Sequence, residues 1–135
     1  MSAEGNPPEL TGILETVLYC SPENEPDVRR FYSETLGLTQ IGKFSYRVGA
    51  NMLLVFNVSE TSVQDDPPPH GATGPVHTCF LTTTSQYDAW KKHLEGSGIS
   101  VTREIEWPNG AMSFYFDDPA GNVLEIADSD LWRKS

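Results

Sequence analysis

AMSFYFDDPAGNVLEIA, residues 111–127, reads as two strands joined by a tight turn. Ser113-Phe114-Tyr115-Phe116 alternates polar and aromatic residues, Asp117-Asp118-Pro119-Ala120-Gly121-Asn122 carries the turn chemistry, and Val123-Leu124-Glu125-Ile126 returns as an apolar run. Glu125 interrupts that run. A carboxylate in a buried strand is costly unless something cationic pairs with it. Either this face of the strand is wet, or Glu125 holds an ion.

Working outward, the preceding residues supply a strand at Val76 to Thr82, then a helix that Ser85 can cap with Asp88 three residues on. Tyr87, Trp90 and Leu94 fall on its inner face, Gly96-Ser97-Gly98 stops it, and Ile99 to Glu106 is extended. The first half of the chain has the same order. Ile13 to Cys20 is a β-branched and apolar strand broken by one carboxylate, Glu15. Val28, Phe31, Tyr32, Thr35 and Leu36 mark one face of a helix ending at Gly37. Leu38 to Gly42, Phe44 to Val48 and Met52 to Val58 are three further extended pieces. Strand–helix–strand–strand–strand therefore occurs twice, an internal duplication at the level of structure, and the fold class is α+β. The implied organisation is a flexible lead-in over 1–11, a first module over 12–58, a linker or lid over 59–74, a second module over 75–127 and a tail over 128–135. The linker is acidic and stiffened by Pro67-Pro68-Pro69; the tail is expected to pack through Leu131 and Trp132.

Composition excludes more than it names. The chain has 135 residues and a formal net charge of −10, which argues against nucleic acid and anionic membrane surfaces as partners, since both select basic patches. No apolar run approaches a membrane span and the N-terminus lacks a signal-peptide pattern, so a cytoplasmic location is expected. Cys20 and Cys79 lie far apart in apolar strands; free buried thiols fit a reducing compartment, with one disulfide as the alternative.

Period two assigns faces. Leu14 and Leu18, Val76 and Phe80, and Leu124 and Ile126 form the more apolar sets and are expected to face the helices. That leaves Glu15, His77 and Glu125 on the opposite faces. A lone strand glutamate is ordinarily solvated, and a lone strand histidine is ordinarily hydrogen-bonded. If these three converge, two carboxylates and an imidazole repel at neutral pH unless a cation sits among them, and a divalent metal is the simplest resolution. His70 in the proline-rich loop is expected to be solvated, and His93 to lie on the surface.

Four segments together resemble the vicinal oxygen chelate superfamily, which includes glyoxalase I, bleomycin-resistance proteins, fosfomycin-modifying transferases and extradiol dioxygenases. They are Ile13-Leu14-Glu15-Thr16-Val17, Arg30-Phe31-Tyr32-Ser33-Glu34-Thr35-Leu36-Gly37-Leu38, Gly74-Pro75-Val76-His77, and Phe114 through Glu125. The likeness spans roughly 13–127. It implies two βαβββ modules forming a cup-shaped, partly closed β-barrel with helices outside, around one divalent metal. By position, His77 and Glu125 match ligands of the second unit, and Glu15 stands where many members carry His or Gln. Glyoxalase I is similar but has a fourth ligand, a glutamate, on the last strand of its first unit; here the apolar Leu53-Leu54-Val55-Phe56 stands there, with Val55 the matching position.

That departure leaves three protein ligands, open positions for substrate, and doubt over a strict lactoylglutathione lyase. A Glu, His, Glu donor set suits Zn²⁺, Ni²⁺, Mn²⁺ or Mg²⁺ better than an O₂-activating iron, which lowers the extradiol dioxygenase alternative. A fosfomycin transferase would need cations, and the placement of Arg47, Arg103 and Lys134 is not fixed by sequence. The leading expectation is a glyoxalase-like lyase or isomerase whose small substrate chelates the metal through vicinal oxygens. Glu15 or Glu125 would shuttle a proton, Tyr115 and Ser113 would orient the substrate, and Tyr19, Tyr46, Trp107 and Met112 would shape the pocket together with Val55. The alternative from another class is a bleomycin-resistance-like protein that binds a small molecule without turning it over. A homodimer is expected in either case.

Overall fold

The computed structural model describes residues 5–134; the first four residues of the expected lead-in, and Ser135, lie outside the described residues. Its strands are β1 (Glu15–Cys20), β2 (Thr39–Gln40), β3 (Ser45–Val48) and β4 (Asn51–Asn57), then β5 (His77–Leu81), β6 (Arg103–Glu106), β7 (Met112–Asp117) and β8 (Val123–Ala127). They form two four-stranded sheets, ordered β1-β4-β3-β2 and β5-β8-β7-β6. In each, the first strand runs parallel to the last and the remaining pairs are antiparallel. The two sheets repeat one topology, as the duplicated pattern implies. They remain separate rather than closing into a barrel, so β1 and β5 are both free edges.

Among the described residues three α-helices accompany them: α1 (Glu25–Arg30) after β1, α2 (Val58–Thr61) between the two sheets and α3 (Thr84–Gly96) after β5. Pro26 sits in the first turn of α1, where its missing N–H costs nothing. The helix runs on into a wider π-type turn over Phe31–Thr35, closed by the Leu36 amide donating to the Phe31 carbonyl at 2.9 Å. That turn places Phe31, Tyr32 and Leu36 on the buried side together. Gly37 then takes φ +69, which ends the helix where the sequence implies. α3 starts one residue before the expected cap: Thr83 is the extended N-cap, and Ser85 only shares a hydroxyl contact with it. α2 begins at Val58, the last residue of the expected first module, and runs into the segment expected to be a linker or lid; the Asn57 side chain caps it by accepting from the Ser59 amide at 3.0 Å.

A single hydrophobic core joins the halves. It contains Leu18, Leu53, Val55 and Tyr46 from one face of the first sheet, and Phe114, Phe116, Leu124 and Ile126 from one face of the second. Val28, Phe31, Tyr32, Tyr87 and Leu94 from the helices fill the space between. Phe31 of the first unit meets Phe116 of the second at 6.4 Å between ring centres, and His93 Nε2 lies 2.7 Å from the Thr35 carbonyl. The helix-covered faces thus turn toward one another and the opposite faces turn away.

The turn that opens the sequence reading bolts the units together. Asp118 Oδ1 accepts the amides of Ala120 and Asn122, both at 2.9 Å, and its Oδ2 accepts the Tyr32 hydroxyl at 2.5 Å. Asn122 Nδ2 donates to Asp118 and, across the unit boundary, to the Tyr19 carbonyl at 3.0 Å. Burial first, then the Asp118 carboxylate, pushes the Tyr32 phenol well above its usual range, so it stays a donor. Gly121 sits at φ +85, a conformation a side chain would strain.

Three expectations about the strands and the tail need correction. Tyr46, Val55 and Met112 do not shape a pocket on the outward faces. Tyr46 and Val55 are fully buried in the core, with the Tyr46 ring 5.7 Å from that of Tyr32, and Met112 packs against the same core. Cys79 is not buried but exposed on the outward face, and both thiols are free. Trp132 is not packed: it is 91% exposed at the end of a tail pinned by Asn109, whose Nδ2 donates to the carbonyls of Asp130, Leu131 and Arg133.

Candidate functional site

The parallel register of β5 and β8 explains how two distant residues meet. His77 pairs with Val123 and Cys79 with Glu125, and period two turns His77, Cys79, Val123 and Glu125 to the same outward face. On β7, Tyr115 stands opposite Glu125, and Ser113 opposite Ala127. Ser113 accepts the Trp107 indole N–H at 2.9 Å, which fixes Trp107 at one side of the group.

His77 Nδ1 lies 2.8 Å from the Val123 carbonyl. A carbonyl can only accept, so Nδ1 carries the proton and Nε2 is the nitrogen presented to the site. Nε2 lies 3.2 Å from Glu125 Oε1. Glu125 is 3% exposed, and its second oxygen, Oε2, is buried with no hydrogen-bond partner. A neutral Nε2 and a carboxylate oxygen are both electron-pair donors; facing one another, they need a proton or a cation between or beside them. An unpaired buried carboxylate oxygen costs roughly 1–3 kcal/mol or more, and a divalent cation would satisfy both groups. The donor set fits.

The neighbours are held neutral. The Cys79 thiol is pushed up to about 12, first by desolvation and then by the Glu125 carboxylate. Burial and then the same carboxylate raise the Tyr115 phenol, so it remains an O–H donor. The Tyr115 ring stacks on His77 with centres 6.0 Å apart. Glu125, Cys79, Tyr115 and Trp107 line a cleft of about 420 Å³, whose far wall is the pinned tail with Leu131 and Trp132.

Glu15 is elsewhere. It is exposed at the start of β1, on the outward face of the other sheet with Val17 and Tyr19. Among the described residues no group of three His, Cys, Asp or Glu side chains comes together to hold a metal. The expected trio therefore does not form within one chain. His77 and Glu125 meet, and Glu15 does not reach them.

Comparing the registers corrects the fourth-ligand position. His77 opposite Val123 corresponds to Glu15 opposite Met52, and Cys79 opposite Glu125 corresponds to Val17 opposite Leu54. Leu54, not Val55, is the counterpart of Glu125. A carboxylate is absent from either position.

Sequence reasoning also missed His70. It is exposed but not simply solvated: its Nδ1 lies 2.6 Å from the Tyr19 hydroxyl, and its ring meets Phe56 edge-on at 5.3 Å. A loop without periodicity carries no signal for this placement.

Residues 26–126 match the model of the Glyoxalase/Bleomycin resistance protein/Dioxygenase superfamily. The chain is similar to a crystal structure of lactoylglutathione lyase from Agrobacterium tumefaciens, with 34% identity, a TM-score of 0.83, and coverage of 94% of this chain and 100% of that one. It is also 29% identical over 107 residues to a virulence protein of Salmonella typhimurium, covering 73% of this chain and 72% of that protein. A glyoxalase family protein from Bacillus anthracis shares the fold at 20% identity and a TM-score of 0.71, over 93% of this chain and 100% of the other.

Proposed function

This chain belongs to the Glyoxalase/Bleomycin resistance protein/Dioxygenase superfamily, and from that premise we propose that it is a divalent-metal-dependent, glyoxalase-like lyase or isomerase. Its substrate is a small molecule that offers two neighbouring oxygens to the metal. The observation that carries this reading is the His77–Glu125 pair: one imidazole nitrogen committed to a carbonyl, the other 3.2 Å from a buried carboxylate whose second oxygen is unpartnered.

The third ligand is Glu15 of a second copy. Each chain turns both outward faces away from its own core, and β1 and β5 are unpaired edges. Leu14 at 70% and Leu81 at 69% exposure lie beside those edges. A homodimer in which the first sheet of one protomer faces the second sheet of the other covers these apolar groups and forms two cups. Each cup then combines His77 and Glu125 with the partner's Glu15.

A bound divalent cation supplies Lewis-acid charge to the chelating oxygens. The chain's own residues do the rest. Glu125, or the partner's Glu15, has a carboxylate oxygen to accept a proton from carbon and return it at the neighbouring position. Tyr115 donates a hydrogen bond, because its phenol stays protonated beside Glu125. Trp107 and the tail exclude water from the second-sheet side of the cleft.

The test is metal analysis of protein purified without chelator, joined to an isomerisation assay on thiohemiacetals of 2-oxoaldehydes, the lactoylglutathione precursor included. The reading predicts about one divalent ion per chain, lost together with activity in His77→Ala. Protein that binds no divalent ion, or His77→Ala that keeps it, overturns the reading. The aromatic and acidic cleft, with Trp107, Tyr115, Trp132, Glu125 and Asp130, also favours a second reading: capture of a cationic aromatic molecule without turnover. Thermal stabilisation by such molecules but not by metals selects it.

A further inference from the structure

We infer that His70 and Tyr19 form a second binding station in the same cup, on the wall supplied by the first sheet, which hydrogen-bonds a carbonyl- or carboxylate-bearing tail of the substrate. The inference rests on the metal-dependent reading above and extends it to the far end of the ligand.

Tyr19 shares the outward face of β1 with Glu15, so both look into whatever cavity that sheet covers. His70 reaches this face from the proline-rich loop. Its backbone amide donates to the Thr61 carbonyl at 3.0 Å, and within the loop Gln64 Nε2 donates to the Pro68 carbonyl at 3.1 Å. The imidazole rests on Phe56 at 5.3 Å and on the Tyr19 ring at 5.8 Å between centres. Tyr19 and Phe56 are direct cross-strand neighbours, so the platform is part of the sheet itself.

Holding a histidine this way costs loop and side-chain entropy, yet the residue is not in the core and contributes little burial. The hydrogen bond to Tyr19 occupies Nδ1 and fixes the ring. Nε2 has no protein partner among the described residues, and it is the nitrogen left for a ligand. On its loop side His70 also borders a cleft of about 540 Å³ between α2 and the loop, lined by Val58, Ser59, Ser62 and Thr73 among others and by no strand residue. In a protein of net charge −10, the long-range field does not attract a carboxylate, so recognition of one needs local donors. With the Tyr19 hydroxyl donating to Nδ1, the His70 Nε2–H supplies one.

The spacing sets the ligand's length. Tyr19 lies four residues beyond Glu15 on one strand, ~13 Å at the extended rise per residue. The substrate class is an elongated molecule with vicinal oxygens at one end and a hydrogen-bond-accepting carbonyl or carboxylate about that distance away.

Titration calorimetry on the full-length, nickel-loaded protein tests this with three probes: acetohydroxamate, an ω-carboxyalkyl hydroxamate long enough to span ~13 Å, and an alkyl hydroxamate of equal length. The carboxylate tail is expected to improve affinity about tenfold over the alkyl control, the size of one good hydrogen bond to a charged group. His70→Ala should abolish that gain and leave acetohydroxamate binding unchanged, and Tyr19→Phe should abolish the gain as well. Acetohydroxamate binding without a tail-dependent gain, or a gain that survives both substitutions, overturns the station and leaves the metal reading intact. If acetohydroxamate itself does not bind, the metal reading fails, and the His70 ring resonances of metal-free protein titrated with hexanoate decide the station: movement lost in Tyr19→Phe supports it, and no movement overturns it.

Discussion

At the scale of the residue, the chemistry concentrates in Glu125. Its position in β8 is expensive for folding, because one oxygen is buried without a partner; the Cys79 thiol and the Tyr115 phenol beside it stay protonated, first through burial and then through the same carboxylate. Sites kept for binding are often destabilising in the absence of ligand. Glu125→Gln, nearly the same shape, should therefore raise the unfolding free energy of metal-free protein by about 1 kcal/mol while removing divalent-metal affinity. Chemical denaturation of both proteins in the presence of chelator measures the first effect, and metal titration the second. A metal-free variant that is less stable than the parent would mean that Glu125 is a structural group.

At the scale of the element, electrostatics on the helix-covered side follow an ordinary pattern. Glu104 on β6 accepts the Tyr87 hydroxyl at 2.7 Å and the Lys91 ammonium at 2.9 Å from α3. Those bonds, Tyr87 first, hold its carboxyl below the usual value of 4.5. A carboxylate with a depressed folded-state pKa adds stability that is present above its unfolded value and lost as pH falls through the folded one. Glu104→Gln should lower the melting temperature at neutral pH and show a smaller further loss than the parent on acidification below about 4.5. Parallel melting curves over that range check it; equal acid sensitivity of the two proteins would remove the interaction from the account.

The strands themselves were legible wherever alternation was clear, as in β1 and β5, and their carboxylate and imidazole fell on the expected faces. The reading failed where both faces are apolar. Leu53-Leu54-Val55-Phe56 has no polar residue to set its phase, so Val55 stood in for Leu54 and a one-residue slip turned it into the core. Met112 was grouped with Ser113 although period two separates them. His70 and Trp132 belong to a loop and a tail, whose placement depends on Tyr19, Phe56 and Asn109, residues remote in sequence.

At the scale of the whole molecule, one fact of packing bears on the proposal: the core gathers the helix-covered faces of both sheets, and the other faces carry Glu15 on one sheet and His77 with Glu125 on the other. Among the described residues the expected trio is therefore divided between two sheets. This was beyond sequence reasoning, because the linker is long enough for either arrangement. In the dimer proposed above, the tail with Trp132 and the loop with His70 would stand on opposite walls of one cup. The central claim is that each metal centre draws Glu15 from one protomer and His77 with Glu125 from the other. The most direct measurement is the metal stoichiometry of a purified heterodimer between a Glu15→Ala chain and a His77→Ala chain. The account predicts one ion per heterodimer, in the cup where both substitutions are absent, while each mutant homodimer binds none. A heterodimer as empty as its two parents, or Glu15→Ala homodimers that retain two ions, would contradict it.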